Sequence, residues 1–145
     1  MDMPMTDEVR EVLDTFRTAA ELGRTSLGAY VISMAKRASD VLAVELLQRE
    51  AAIQVAAKKG TAPNLLATLR VAPLFEMLED LTAGASVVKA LLDNSWYREH
   101  LRTAHGDHQE IMLGYARRAG GWGGNIRGAA SVGGEGGRCS CAAVR

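Results

Sequence analysis

One stretch, Leu69 to Leu81 with the sequence LRVAPLFEMLEDL, does most to limit the folds open to this chain. It opens with a short apolar run formed by Leu69, Val71, Leu74 and Phe75. The run is too brief for a helix and predicts a buried strand, with Pro73 near the strand end, where a missing N–H costs least. Glu76 follows at once, and α/β folds place their chemistry at such strand ends. The alternative that spacing leaves open is that Glu76 only favours the positive end of the next helix.

The residues before this stretch predict a helix, a strand and a second helix. The first helix has apolar residues at helical spacing, namely Val9, Val12, Leu13, Phe16 and Ala20. Thr6 or Asp7 can cap its start, and Gly23 can end it. The strand is expected over Tyr30, Val31, Ile32 and Met34. The second helix is expected to begin at Ser39–Asp40 and to close near Gly60.

The residues after it predict two helical segments, a further helix and a third strand. Gly84 is expected to break the chain after MLEDL, and Ser86 to start a new helix. Ser95 is expected to cap the following helix, which Gly106 stops. The third strand is expected at Ile111 to Leu113. This alternation of helices and strands predicts an α/β fold with parallel strands.

From Ala116 onward the sequence changes character. It is dominated by Gly, Ala and Arg, shows no helical or strand period, and is predicted to be a disordered tail over residues 116–145. Cys139 and Cys141 are separated by one residue and have no partner pair, which argues against a zinc or redox site. A single aromatic residue, Trp122, among the tail arginines is weak support for RNA binding.

The charge balance and the targeting patterns limit the classes of partner and the compartment that we expect for this chain. The formal net charge of zero argues against a nucleic-acid-binding surface. The acidic start MDMPMTDEVRE lacks the apolar core of a secretory signal, and no apolar run approaches membrane-spanning length. Both cysteines lie in the tail, so the body of the chain suits a reducing compartment. A cytoplasmic protein without a nucleic-acid or membrane partner is therefore expected.

A group of histidines and acids between the last helix and the third strand is a candidate metal site. It consists of His100, His105 and His108 with Asp107 and Glu110. The spacing matches no established zinc pattern. A solvated loop is the preferred interpretation of these residues.

Three segments together resemble the phosphoenolpyruvate carboxylase family: GAYVISMAKRASDVLAVELLQREA, LRVAPLFEMLEDL and WYREHLRTAHGDHQEIMLGY. They occur in the family's order and cover nearly everything from about Phe16 to Tyr115. The resemblance divides the chain into a partial barrel segment, residues 1–115, and the tail, residues 116–145. Family members are several times longer, so this would be an internal piece of the enzyme.

The resemblance implies a fold, a reaction and a set of site residues. The fold would be part of a (β/α) TIM-type barrel with extra helices, with about three of its parallel strands present. The enzyme would be a cytosolic homotetrameric lyase that joins phosphoenolpyruvate and bicarbonate into oxaloacetate and phosphate, through carboxyphosphate and an enolate. This reaction serves carbon fixation and replenishes the tricarboxylic acid cycle. Glu76 matches the family's ligand to Mg²⁺ or Mn²⁺, and Leu74 and Met112 match apolar positions beside the substrate.

The chain also departs from the family pattern. After Gly114–Tyr115 the family continues Ser-Asp-Ser-x-Lys-Asp, whose last residue is the second metal ligand, whereas this chain continues with Ala116, Arg117 and Arg118. The family's catalytic histidine and its Gly-Arg-Gly-Gly loop are missing as well. We therefore expect the chain alone to be inactive, with a non-catalytic or subunit-interaction piece as the alternative. The abrupt change suggests a tail read from a wrong frame or through an intron, which translation of the DNA in all frames would test.

Overall fold

The computed structural model describes residues 5–76, 78–113, 127–133 and 138–144. By backbone proximity the chain divides into two compact units. The first comprises Met1–Gly28 and Ala43–Leu69, and the second comprises Ala29–Leu42 and Arg70–Arg145. In the described part of the chain, no helix has the length and apolar character needed to cross a bilayer.

The first unit contains helix α1 (Asp7–Leu22) and most of helix α2 (Ala38–Lys59). The predicted caps of α1 are confirmed, since the Thr6 hydroxyl accepts a hydrogen bond from the Val9 N–H at 3.3 Å and Gly23 ends the helix with a positive φ of 72°. Phe16 is the buried residue of α1. The loop after α2 is held by Gln48, whose side-chain amide exchanges two hydrogen bonds with the backbone of Leu69.

The second unit contains a parallel sheet of three strands in the order β1-β2-β3. Its strands are β1 (Ala29–Ser33), β2 (Arg70–Phe75) and β3 (Met112–Leu113). The central strand β2 is the apolar run that the sequence predicted, and its Val71, Ala72 and Phe75 are buried. The alternation of helices and strands and the parallel pairing are thus confirmed. A closed barrel is not confirmed, because β1, β2 and β3 form an open sheet of three strands.

Helix α3 (Leu78–Asp93) corrects the prediction of a break at Gly84 and a new start at Ser86. One helix runs through both residues. Gly84 is buried, and a Cβ at this position would lie 3.2 Å from the Phe75 ring. The glycine therefore allows the helix to approach β2 closely, and its helix-breaking tendency, about 1 kcal/mol, does not prevail.

Helix α4 (Ser95–Ala104) begins one residue earlier than a Ser95 cap implies. Its N-cap is Asn94, whose side chain accepts a hydrogen bond from the Tyr97 N–H at 3.0 Å. Gly106, with a φ of 63°, lies just beyond the helix end, as predicted. Asn and Ser are both good N-caps, so the sequence alone does not distinguish these neighbours.

The Gly-rich tail contains two strands, β4 (Arg127–Gly133) and β5 (Arg138–Val144), that pair antiparallel. The prediction of a disordered tail is therefore not confirmed for these segments, and the rest of residues 116–145, including Trp122, lies outside the described residues. Cys139 and Cys141 lie on β5 opposite Val132 and Ala130. Small side chains give no apolar alternation, the usual signal of a strand, but they do not obstruct pairing between two backbones.

Candidate functional site

The candidate site lies at the carboxyl end of β2. Because β1, β2 and β3 run parallel, their carboxyl ends meet at one edge of the sheet. Glu76 is the first residue after β2 and its side chain is exposed. The sequence-based placement of this carboxylate, just past a buried strand, therefore agrees with the structure.

Leu74 and Met112, the two predicted substrate contacts, are direct partners in the sheet. The register of β2 and β3 places Leu74 opposite Met112 and Phe75 opposite Leu113. Partner residues on neighbouring strands direct their side chains to the same face of a sheet. Leu74 is half-buried, and Met112 is 40% exposed. The structure thus brings together two residues that lie 38 positions apart in the chain.

The Glu76 carboxylate suits a hard divalent cation. No hydrogen bond or ion pair joins it to another of the described residues. Mg²⁺ prefers oxygen ligands and is commonly held by one or two carboxylates, with water and substrate oxygens completing its shell. Glu76 alone can supply one such ligand. Residues 114–118, where a second carboxylate would follow β3, lie outside the described part of the chain.

A basic turn follows β1 at the same edge of the sheet. Its backbone is fixed by Asp40 in the first turn of α2, which accepts hydrogen bonds from the N–H groups of Lys36 at 2.9 Å and Arg37 at 3.0 Å. The bond from Lys36, reinforced by that from Arg37, holds the pKa of the Asp40 carboxyl below its usual value. The carboxylate thus satisfies two backbone donors in the turn that leads into α2.

A buried amide that sequence reasoning missed forms a hydrogen bond to β2 at Val71. Gln109 is 1% exposed, and its Nε2 donates to the Val71 carbonyl at 3.0 Å and to the Glu110 carbonyl at 2.8 Å. Its Oε1 accepts a hydrogen bond of 2.6 Å from the hydroxyl of buried Tyr97. The sequence HGDHQEI gives no apolar period around Gln109, so only the order of elements, a loop returning to the sheet, could have drawn attention to it.

The histidine group is only partly the solvated loop that was predicted. His100 is 4% exposed, so that interpretation is wrong for this residue. Its ring stacks on Trp96 at a centroid distance of 5.4 Å and meets the edge of His105 at 5.0 Å. On α4, positions 97, 100, 101 and 104 form the buried face, which is why a histidine at position 100 is enclosed.

A cavity of about 190 Å³ lies within the first unit. Phe16, Gln48, Val55 and Leu69 are among its lining residues, whereas Glu76, Leu74 and Met112 are not. The cavity is mostly bordered by small apolar side chains of α1, α2 and the loop that follows.

Comparison with known proteins relates the chain to one family. Residues 1–121 match the family model described as phosphoenolpyruvate carboxylase, so the match ends within the Gly- and Arg-rich tail. Phosphoenolpyruvate carboxylase 2 of Chlamydomonas reinhardtii is 65% identical over 119 residues, which is 79% of this chain and 10% of the relative. Phosphoenolpyruvate carboxylase 4 of Arabidopsis thaliana is 57% identical over 109 residues, 75% of this chain and 10% of the relative. The chain thus spans about a tenth of the length of these curated relatives.

Proposed function

The chain belongs to the phosphoenolpyruvate carboxylase family, and from this premise we propose that it is a segment of a carboxylating lyase. The whole enzyme would join phosphoenolpyruvate and bicarbonate into oxaloacetate and phosphate. The observation that carries this proposal is the matched sequence together with Glu76 at the carboxyl end of the central parallel strand. We also propose, from the resemblance, that the whole enzyme is a cytoplasmic homotetramer.

Glu76 would be a ligand to Mg²⁺ or Mn²⁺. A divalent cation in such a site stabilises negative charge that develops on substrate oxygens and orients the reactants. The contribution of this chain is to fix one oxygen ligand on a rigid element, since Glu76 follows directly on the buried strand β2. Because the Glu76 carboxylate is exposed, its oxygens are accessible to a cation.

Leu74 and Met112 would form an apolar surface beside that ligand. Their adjacent positions on β2 and β3 place them on one face of the sheet. Apolar side chains next to a charged centre exclude water and lower the local dielectric, which strengthens electrostatic interactions within the site. These two side chains would thus exclude water beside the bound substrate and help to orient it, and they would take no part in proton transfer.

A second candidate function, a non-catalytic piece of the same scaffold, is favoured by the residues after β3. Ala116, Arg117 and Arg118 follow Tyr115, so this chain supplies two cations and no carboxylate in that segment. A cation beside a metal site opposes metal binding by direct repulsion. We therefore propose that the isolated chain does not turn over substrate, whereas its matched residues are competent within a complete enzyme.

A chimeric enzyme tests both statements. Residues 5–113 of this chain would replace the matched segment of the 65% identical Chlamydomonas reinhardtii relative, and oxaloacetate formation would be measured with Mg²⁺ and with Mn²⁺. We expect an active chimera and no activity from the 145-residue chain. In the chimera, Glu76→Gln should lower kcat/KM on the order of 10³-fold, because several kcal/mol of cation-mediated stabilisation are lost.

Glu99→Gln is the matched control, since Glu99 is an exposed carboxylate on α4 that pairs with Arg102. Its replacement should leave the chimera within about twofold of the parent, as expected for a surface ion pair. Equal effects of the two substitutions would refute the metal-ligand role of Glu76. Robust turnover by the 145-residue chain would refute the proposal that it is inactive alone.

A further inference from the structure

Strand β3 joins the sheet at Met112. Among the described residues, its ladder with β2 has two partner pairs, Leu74–Met112 and Phe75–Leu113, whereas β1 and β2 share five. A slip of one residue would turn Met112 to the opposite face and bring Leu113 beside Leu74. Contacts made by the residues just before Met112 therefore matter for this register.

The Gln109 side chain forms a hydrogen bond to β2 at Val71, where the backbone of a longer β3 would pair. Gln109 precedes Met112 by three residues, and Val71 precedes Leu74 by three residues, so the Gln109–Val71 hydrogen bond has the same register offset as the Met112–Leu74 pair. A single side-chain amide thus bonds to β2 where the backbone of β3 has not yet reached the sheet. The second bond from Nε2, to the Glu110 carbonyl, fixes the chain immediately before β3.

Tyr97 fixes the orientation of this amide. Its hydroxyl donates to Oε1 of Gln109 at 2.6 Å, which leaves Nε2 to face the two carbonyls. Tyr97, Gln109 and Val71 are each at most 2% exposed. At such burial, a lost partner leaves a polar atom without water, so alternative registers that break these bonds are strongly disfavoured.

We propose that Gln109, oriented by Tyr97, is a positioning residue that sets the register of β3 against β2 and thereby places Met112 beside Leu74 next to the Glu76 carboxylate. The role of Gln109 in the register follows from its hydrogen bonds to Val71, Glu110 and Tyr97. Its consequence for catalysis rests on the proposed function. Gln109 itself is not assigned a contact with substrate or metal.

The register is testable by NMR on the 145-residue chain with methyl-labelled Met and Leu. In the parent, a nuclear Overhauser contact between the Met112 and Leu74 methyl groups is expected. Gln109→Met keeps the length of the side chain and removes both donors, so this contact should be lost or reduced more than about fivefold. Tyr97→Phe removes one bond and should reduce it less, which keeps the test open if Gln109→Met does not fold.

Gln48→Met is the matched control. Gln48 is also a buried amide with two hydrogen bonds to the backbone of one residue, Leu69, at 3.1 Å and 2.7 Å. Its loss should destabilise the chain to a similar degree and leave the Met112–Leu74 contact unchanged. A contact that persists in Gln109→Met and Tyr97→Phe, or that is lost equally in Gln48→Met, would overturn the inference.

The catalytic consequence is measured in the chimeric enzyme as the Mn²⁺ concentration for half-maximal activity and as KM for phosphoenolpyruvate. Gln109→Met should raise these constants at least about tenfold, since misplacement of a site by about 1 Å has effects of this order or larger. Gln48→Met should leave both unchanged even where the melting temperature falls. Unchanged constants in Gln109→Met would overturn the positioning role, whereas unchanged Mn²⁺ dependence in Glu76→Gln would overturn the proposed function and leave the NMR result standing.

Discussion

The two sides of β2 are held in different ways. On one side, β1 pairs with it over five residues from Ala29 to Ser33. On the other side, the described residues of β3 form two pairs with it, and just before them Gln109 and Glu110 bond to Val71 and Arg70 of β2. The comparison teaches that buried side-chain hydrogen bonds can add to the alignment of a strand whose backbone pairing begins late.

The difference follows from the elements that approach each side. β1 enters the sheet before a turn capped by Asp40, and its backbone is regular over its whole length. β3 follows the loop after α4, where Asp107 has a positive φ of 59° and Gly106 one of 63°. After this turn, the backbone begins to pair with β2 only at Met112. Side-chain hydrogen bonds therefore supply the contacts that earlier backbone pairing would have given.

The largest stability effect is expected where α3 approaches the end of β2, at the close contact between Gly84 and the Phe75 ring. Gly84→Val would place atoms within 3.2 to 3.4 Å of the Phe75 ring, whose backbone pairs with Leu113. Overpacking of this kind costs about 1–3 kcal/mol. We expect a lower free energy of unfolding in urea and faster amide exchange at Leu113 than at Ile32 of β1.

Ala85→Val is the control for this substitution, because Ala85 is exposed on the same helix. It carries the helix-propensity penalty of a β-branched residue, roughly a few tenths of a kcal/mol, without the contact with Phe75. If the two valine variants have the same free energy of unfolding, the close approach at Gly84 does not support β2. If exchange accelerates equally on β1 and β3, the two sides of β2 do not differ in stability.

These features also show what could be predicted from the sequence. The apolar run of β2, the position of Glu76 after it and the caps of α1 follow from local patterns, and the structure agrees with them. The continuity of α3 does not, because the buried contact between Gly84 and Phe75 outweighs a local helix-breaking tendency. Gln109 was missed because its burial depends on Val71 and Tyr97, which lie far from it in sequence, and its own neighbours are polar. His100 was missed although it shares the buried face of α4 with positions 97, 101 and 104.

A pH-dependent effect of intermediate size is expected on the strongly paired side. The Asp40 carboxylate caps the turn after β1, and the hydrogen bond from Lys36 lowers its pKa from the ordinary 3.8. A carboxyl with a lowered folded pKa stabilises the protein above its unfolded pKa and loses this effect as the pH falls through the folded value. Asp40→Asn should therefore cost about 1 kcal/mol at pH 7 and progressively less below about pH 4.

Urea unfolding of the parent and the Asp40→Asn variant between about pH 2.5 and pH 7 would measure this difference. The two curves should converge towards the acid end, because a protonated aspartic acid and an asparagine at this position are similar neutral acceptors. A constant difference across this range would show that the carboxylate charge contributes nothing to the cap. Whichever result is obtained, the substitution should accelerate amide exchange less on β1 than at Lys36 and Arg37. The reason is that β1 is also held by its five-pair ladder with β2.

The smallest effect is expected for the ion pair that accompanies Gln109. Arg70 Nε lies 2.9 Å from Glu110 Oε2, but the two side chains remain 40% and 29% exposed. Exposed pairs of this kind contribute about 0.2–1 kcal/mol and weaken with salt. A double-mutant cycle with Arg70→Gln and Glu110→Gln should give a coupling energy in this range at low salt, larger than that of the more exposed Glu99–Arg102 pair. A coupling energy above that range that also persists at about 1 M salt would mean that the surface charges, rather than the buried amide, align β3 with β2.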